Sequence, residues 1–269
     1  MTLAEVLNAA VEYLSARGVD TPRVDAELLL ARALDLQRME LYTQHDRPLT
    51  DAERTKARDL VRRRGTREPL AYVLGDWDFR RLTLKTDKRG LVPRPETEIV
   101  VERCLELLRD TVAPRVVDVG TGTGAIALAV KHERPDAHVT ATDRSGDALR
   151  LAAENAHATA LEIELVETDL LDGLTGPFDL VVSNPPYIGA DELATLEPEL
   201  SHEPEHALVD RGQTQRLIET AHFGWLVLEV DEARAADVAR QLDAAGYENV
   251  NVSRDLAGRD RIVEGRWTP

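Results

Sequence analysis

Leu3, Val6, Leu7, Ala10, Val11 and Leu14 recur every three or four positions, the apolar stripe of an amphipathic helix. Thr2 with Glu5 matches the reciprocal cap that opens such a helix, and Gly18 supplies the stop. Thr21-Pro22 predicts a second start, with proline at the first helical position, ahead of a Leu-rich run over residues 25–36. Thr50 and Glu53 repeat the capping pattern and open a helix to about residue 64. Nothing here alternates as a strand does. Residues 1–72 are therefore expected to form a small helical bundle.

From Ala71 to Val92 the rhythm changes. Phe79, Leu82 and Leu84 sit among charges between Gly75 and Gly90, which predicts a short hairpin or extended linker over 73–92. Pro93 and Pro95 bracket Arg94, and a helix is expected over 97–109. Apolar strand patterns then fall at 115–119, 138–142, 162–167, 178–183 and 225–230, with helical patterns between the first four. Alternating strands and helices imply an α/β fold, a doubly wound and mostly parallel sheet with right-handed crossovers, over 93–269. Two further β-like runs, 249–253 and 261–265, flank Gly258 and predict a C-terminal antiparallel hairpin.

One strand-to-helix junction carries chemistry. Val119 is followed by Gly120-Thr121-Gly122-Thr123-Gly124, where glycines let the backbone turn sharply and approach a ligand. The helix that follows offers N–H groups to polar ligand atoms. Asp143 ends the next strand, where a carboxylate can accept from both hydroxyls of a ribose. The pair points to a nucleotide-type cofactor, and Gly120, Gly122 and Ala125 suit NAD as well. Asp169 ends the third strand on the same edge. It can accept from an adenine amine with Leu170 against the ring, or simply cap a helix.

The strand over 178–183 runs straight into Asn184-Pro185-Pro186-Tyr187. Each proline fixes φ and removes an N–H, so the turn is stiff and its carbonyls remain free acceptors. The nitrogen lone pair of an amide or an adenine amine is delocalised, so such a nitrogen is a poor nucleophile. The Asn184 side-chain oxygen and the Pro185 carbonyl can hold both of its N–H bonds and aim it at an electrophile, an orientation effect that reaches ~7–11 kcal/mol in favourable cases. Tyr187 can pack on the flat group.

Composition narrows the options. The chain of 269 residues carries 33 Lys+Arg against 49 Asp+Glu, a formal net charge of −16. That balance argues against bulk binding to duplex nucleic acid, which needs phosphate neutralised. The single cysteine, Cys104, excludes an internal disulfide or a multi-cysteine metal site, and its helical apolar position predicts burial. The histidines show no paired metal spacing, so no metal is expected. With no long apolar run and no secretory signal, a cytoplasmic protein without a membrane association is expected. Arg62-Arg63-Arg64 reads as a solvated helix face, or else as a docking patch for an acidic protein surface or nearby RNA.

Glycine loop, acidic strand end and Asn-Pro-Pro-Tyr together resemble the class I S-adenosylmethionine-dependent methyltransferases that modify planar amino nitrogens. Three segments sharpen the resemblance to the release factor glutamine methyltransferases. They are Glu68-Pro-Leu-Ala-Tyr-Val-Leu-Gly75, Leu91-Val-Pro-Arg-Pro-Glu-Thr-Glu98 and Glu203-Pro-Glu-His-Ala-Leu208. The resemblance covers nearly the whole chain. It implies transfer of a methyl group from S-adenosyl-L-methionine, leaving S-adenosyl-L-homocysteine, to the glutamine amide nitrogen in the Gly-Gly-Gln loop of a peptide chain release factor. By motif match, Gly120 to Gly124 would hold the methionine part of the cofactor, Asp143 the ribose, and Asp169 with Leu170 the adenine. Asn184, Pro185, Pro186 and Tyr187 would hold the glutamine, with Asn184 also near the cofactor. Pro93 to Glu98 would wall the site, and the N-terminal helices would dock the release factor.

Some positions depart from the family pattern. The stretch from Leu208 to Trp225 is short, and the expected helix and turn before the fifth strand look reduced to His222-Phe223-Gly224. Asp231 and Arg80-Arg81 stand where glycine is common. A monomer is expected. The alternatives are an amine methyltransferase for a nucleic-acid base, a ribosomal-protein glutamine methyltransferase, and an NAD-dependent dehydrogenase or bare nucleotide-binding module.

Overall fold

A computed structural model describes residues 1–189, 192 and 196–268. The chain separates into two compact units, Met1–Asp76 with Glu197–His202, and Trp77–Leu196 with Glu203–Pro269.

The first unit is helical. Helix α1 (Leu3–Ser15) opens on the complete Thr2/Glu5 capping box. Helix α2 (Pro22–Leu34) starts on its proline, but the Thr21 hydroxyl donates to Asp25 instead of capping. A short α3 (Glu40–Thr43), then α4 (Asp51–Gly65) with its own capping box, and α5 (Leu70–Leu74) complete the unit. Leu3, Leu14, Leu29 and Leu30 form the centre of its core, fully removed from water. Helix α5 corrects the expectation of extended chain from Ala71. Pro69 sets its first turn and Gly75, left-handed at φ 85°, ends it.

The arginine run is also corrected. Arg62 is solvated, but Arg63 pairs with Glu68 and reaches the Tyr72 and Val73 carbonyls. Arg64 is buried between Asp25 (2.6 Å) and Glu199 (2.8 Å), and Arg67 takes the second Glu199 oxygen at 2.7 Å. These guanidinium groups are neutralised internally, so two of the three arginines form no free basic face.

The second unit begins with the hairpin β1 (Asp76–Phe79) and β2 (Leu82–Lys85), whose turn places Arg80 at φ 53°. The left-handed turn explains why glycine suits this position. Here the Arg80 N–H binds Glu98 at 3.0 Å and its guanidinium pairs with Glu133. Helix α6 (Pro95–Leu107) starts at its proline, two residues before the expected position, and buries Cys104 completely.

The main sheet contains β3 (Arg115–Val119), β4 (His138–Asp143), β5 (Glu164–Glu167), β6 (Leu180–Ser183), β7 (Trp225–Glu229), β8 (Glu248–Arg254) and β9 (Asp260–Arg266). Its order is β5-β4-β3-β6-β7-β9-β8, parallel except for β9, which is antiparallel to both neighbours. The C-terminal hairpin is thus as expected. Helices α7 (Ala125–Glu133) and α8 (Gly146–Thr159) supply the first two crossovers. The third expected helix is absent: residues 168–179 form turns only, because Gly173, Gly176 and Pro177 interrupt the apolar spacing. Conversely, the helix thought lost before the fifth strand is present. After α9 (Glu205–Leu208), α10 (Gln213–Thr220) buries Leu217 and Ile218. Asp231 caps α11 (Glu232–Ala245) by accepting from the Ala233 N–H at 2.9 Å. Among the described residues no helix is long and apolar enough to cross a membrane.

Candidate active site

The sheet order sets the site. β3 lies between β4 and β6, with Val119 opposite both Thr142 and Ser183, so three carboxyl ends meet at one edge. The sheet's switch point is here, where α/β proteins place ligands. The Ser183 hydroxyl donates to the Val119 carbonyl at 2.7 Å and ties the β6 end to the β3 end.

The glycine loop is held from below by its own backbone. The Gly120 and Thr121 N–H groups both reach the Thr142 carbonyl at 2.9 Å. Gly120, Gly122 and Gly124 take φ of 72°, 55° and 83°, the left-handed region that side chains resist. A Cβ on Gly120 would meet nothing within 4 Å, so that position faces open space. On Gly124 it would lie 3.2 Å from Leu128 and 3.3 Å from Ala152, so this glycine serves close helix packing and does not line the cavity. Asp143 accepts from the Gly122 N–H at 3.0 Å through one oxygen and from the Ser145 N–H at 2.9 Å through the other. Each oxygen keeps lone-pair capacity for a further donor. Asn155 braces the loop, donating to the Thr123 carbonyl at 2.8 Å and accepting from the Lys85 N–H at 2.7 Å.

Beneath the loop lies Asp118. One of its oxygens accepts from the Thr121 hydroxyl at 2.6 Å and from the Ala127 N–H at 3.1 Å, while the other has no hydrogen-bond partner among the described residues. Burial pushes its carboxyl up to about 7, against the pull of those two donors.

A cleft opens at this edge. Gly120 to Thr123, Asp143, Asp169, Leu170 and Asn184 to Pro186 all line it. Leu170 sits at φ 56° with its carbonyl accepting from the Thr142 hydroxyl at 3.1 Å. Asp169 caps no helix; one oxygen pairs with Arg216 at 2.8 Å. Tyr187 is not among the lining residues. It is half-buried, and burial, with the charge of Glu229, raises its hydroxyl pKa.

A further wall comes from Leu91 to Arg94 and Thr97. Glu203 fixes this wall, accepting from the Val92 N–H at 3.0 Å and from the Arg94 guanidinium. Two of the segments that carried the family resemblance are therefore bonded to each other. The Thr97 hydroxyl accepts from the Asn184 amide nitrogen at 3.3 Å and draws down the pKa of the buried Glu229 carboxyl. The sequence reading placed Thr97 in the wall over 93–98 but gave neither it nor Glu229 a role of its own. The available signal was a carboxylate closing the otherwise apolar run of β7.

Known proteins bear this architecture out. Residues 5–75 match the family described as PrmC N-terminal domain, and residues 97–224 match the methyltransferase small domain. A release factor glutamine methyltransferase of Deinococcus radiodurans is 42% identical, over 99% of this chain and 99% of its own. The chain belongs to the release factor glutamine methyltransferases. Another member of the family, from Salmonella typhimurium, is 38% identical over 98% of each chain. In fold, the chain is similar to the hMettl16 catalytic domain solved with a MAT2A 3′UTR hairpin. That structure is 17% identical with a TM-score of 0.58, covering 78% of this chain and 82% of the other.

Proposed function

We propose that this chain transfers a methyl group from S-adenosyl-L-methionine to the side-chain amide nitrogen of the glutamine in the Gly-Gly-Gln motif of a peptide chain release factor. One observation carries the reading: Asn184, at the end of β6, opens on the same cleft as the glycine loop that ends the neighbouring β3.

The residues present fit the cofactor. Open space over Gly120 admits a ligand against the backbone. Asp143 keeps acceptor capacity for ribose hydroxyls, and Leu170 offers an apolar face beside the remaining Asp169 oxygen for adenine. When bound, S-adenosylmethionine supplies a methyl carbon carried on a sulfonium and leaves as S-adenosylhomocysteine.

The chain's own part is positioning. The Asn184 Oδ1 and the Pro185 carbonyl accept the two N–H bonds of the substrate amide, which fixes the nitrogen with its face toward the methyl carbon. Pro185 and Pro186 keep that turn from relaxing, and Tyr187 supports it from behind the cleft. After transfer the surplus proton passes to water, so no strong base in the chain is needed.

Residues 1–72 serve as the docking domain for the release factor, 73–92 as the linker, and 93–269 as the methyltransferase domain. The enzyme acts as a monomer in the cytoplasm, on protein and not on bulk nucleic acid; the net charge of −16 supports this. Incubation with S-adenosylmethionine and an intact release factor should add the mass of one methyl substitution to the Gly-Gly-Gln peptide, read by mass spectrometry. Labelling elsewhere, or of a ribosomal protein alone, would defeat the reading. Deleting residues 1–70 should leave cofactor binding intact and raise the KM for release factor. An unchanged KM would remove the docking role.

A further inference from the structure

Behind the diproline turn lies a polar relay that no catalytic step above uses. Asn184 spends its amide nitrogen on the Thr97 hydroxyl, 3.3 Å away, and its Oδ1 has no partner among the described residues. Thr97 sits in the first turn of α6 and draws down the carboxyl pKa of Glu229, at the end of β7. Glu229 is almost wholly buried, and its Oε2 has no hydrogen-bond partner among the described residues. A buried carboxylate with an unused oxygen is costly, and its place directly behind the substrate turn calls for an account.

The chemistry of three groups supplies one. A side-chain amide looks nearly symmetrical in shape, but one end donates and the other accepts. To hold an N–H of the substrate glutamine, Asn184 must turn its oxygen to the cleft. A flipped amide would set donor against donor. A hydroxyl has one proton to give. If that proton goes to a carboxylate, the hydroxyl oxygen can only accept, and only the nitrogen end of Asn184 can bond to it.

We infer that Thr97 and Glu229 are positioning residues that fix which end of the Asn184 amide faces the substrate. The Glu229 carboxylate takes the Thr97 proton, the Thr97 oxygen takes an Asn184 N–H, and Oδ1 is left toward the cleft. This rests on the reading that Asn184 holds the substrate amide.

The relay has a direction that a proton on Glu229 reverses. As an acid, Glu229 can donate to Thr97, which frees the Thr97 proton for Asn184 Oδ1 and lets the amide flip. Several groups set the balance. Burial pushes the Glu229 carboxyl up to about 7; Thr97, with Arg261 from β9 and Arg94 from the segment before α6, draws it down, and Glu96 on α6 draws it up. Arg261 donates to the Val230 carbonyl at 3.1 Å, Arg259 holds Glu96 at 3.1 Å, and the Glu229 charge in turn raises the Tyr187 hydroxyl pKa. The active orientation is therefore favoured above the titration and lost below it.

The test uses the full-length enzyme with intact release factor, following kcat, KM and the pH profile, with cofactor Kd from calorimetry. Thr97→Val should cut kcat by ~10–100-fold while cofactor Kd stays within about threefold. Thr97→Ser, which keeps the hydroxyl, should return kcat to within about threefold of the parent. The parent should lose kcat as pH falls through about 7, and Glu229→Gln should abolish that fall. Parental kcat in Thr97→Val, equal damage in Thr97→Ser and Thr97→Val, or an unaltered pH profile in Glu229→Gln would each overturn the relay. If Thr97→Val fails to fold, Thr97→Ser and the Glu229→Gln profile decide alone. Asn184→Ala separates the two claims. An active Asn184→Ala sinks the substrate reading, whereas an inactive one beside unaffected relay variants sinks only the relay.

Discussion

Two carboxylates stand buried behind the cleft, and they make an instructive pair. Asp118 lies under the glycine loop and Glu229 behind the diproline turn. Each has one oxygen without a hydrogen-bond partner among the described residues, each is drawn down by a threonine hydroxyl, and burial lifts each to about 7. They differ in what lies at the far end. Asp118 holds Thr121 and the Ala127 N–H, parts of a loop and helix that the backbone ladder already fixes. Glu229 ends on an amide that can rotate. The same proton thus acts on different quantities. On Asp118 it changes how firmly the fold is held, and on Glu229 it changes which atom meets the substrate. A wall built from backbone resists pH, and a wall built from side chains inherits it.

The contrast can be broken most directly at the side-chain wall. Asn184→Ala should cut turnover by ~10²–10⁴ while cofactor affinity stays within about tenfold. Unchanged turnover in single-turnover assays would mean the turn has no part in the reaction. At the backbone wall the effect should appear in binding. Gly120→Ala places a methyl group in the open space at a φ of 72° and should weaken S-adenosylmethionine by ~10–100-fold in calorimetry, with turnover at saturation little altered. An equal loss in turnover would erase the distinction between the walls. The smallest effect concerns Asp118. Its folded pKa is raised, so between about 4 and about 7 the folded state binds the extra proton, and stability falls as pH rises through that window. Asp118→Asn cannot titrate, so the stability difference between pH 5 and pH 8 should shrink by ~1–2 kcal/mol, measured by denaturant melts at both pH values. A difference as large as the parent's would show that the loop feels no charge from below.

Much of this was written in local sequence. The capping boxes at Thr2/Glu5 and Thr50/Glu53 stand as expected, because a cap needs only residues three apart. The glycine loop and the tail hairpin also announce themselves locally. The connection over 168–179 did not, since turns and short helices share the same small and polar residues. Arg63 and Arg64 misled for a related reason: a charge run looks solvated until its partners, Glu68, Asp25 and Glu199, are brought to it by folding. At the site, the lining residues with family motifs could be named beforehand. Thr97 fell within the wall expected over 93–98, but its role and that of Glu229 could not be read, because they depend on a helix, a strand end and a turn far apart in the chain.

The bond between Arg64 and Glu199 carries a practical consequence for anyone dissecting this enzyme. The helical unit is not a continuous piece of sequence: it borrows residues 197–202, and Glu199 answers both Arg64 and Arg67. A fragment cut after residue 76 would strand a guanidinium beside a lone aspartate, and removing one member of a buried ion cluster typically costs ~3–5 kcal/mol. Scissors that follow chain order will therefore leave a frayed edge on either product. The cleaner amputation removes residues 1–70 together with Glu199→Gln, so that neither half is judged for a wound the other inflicted.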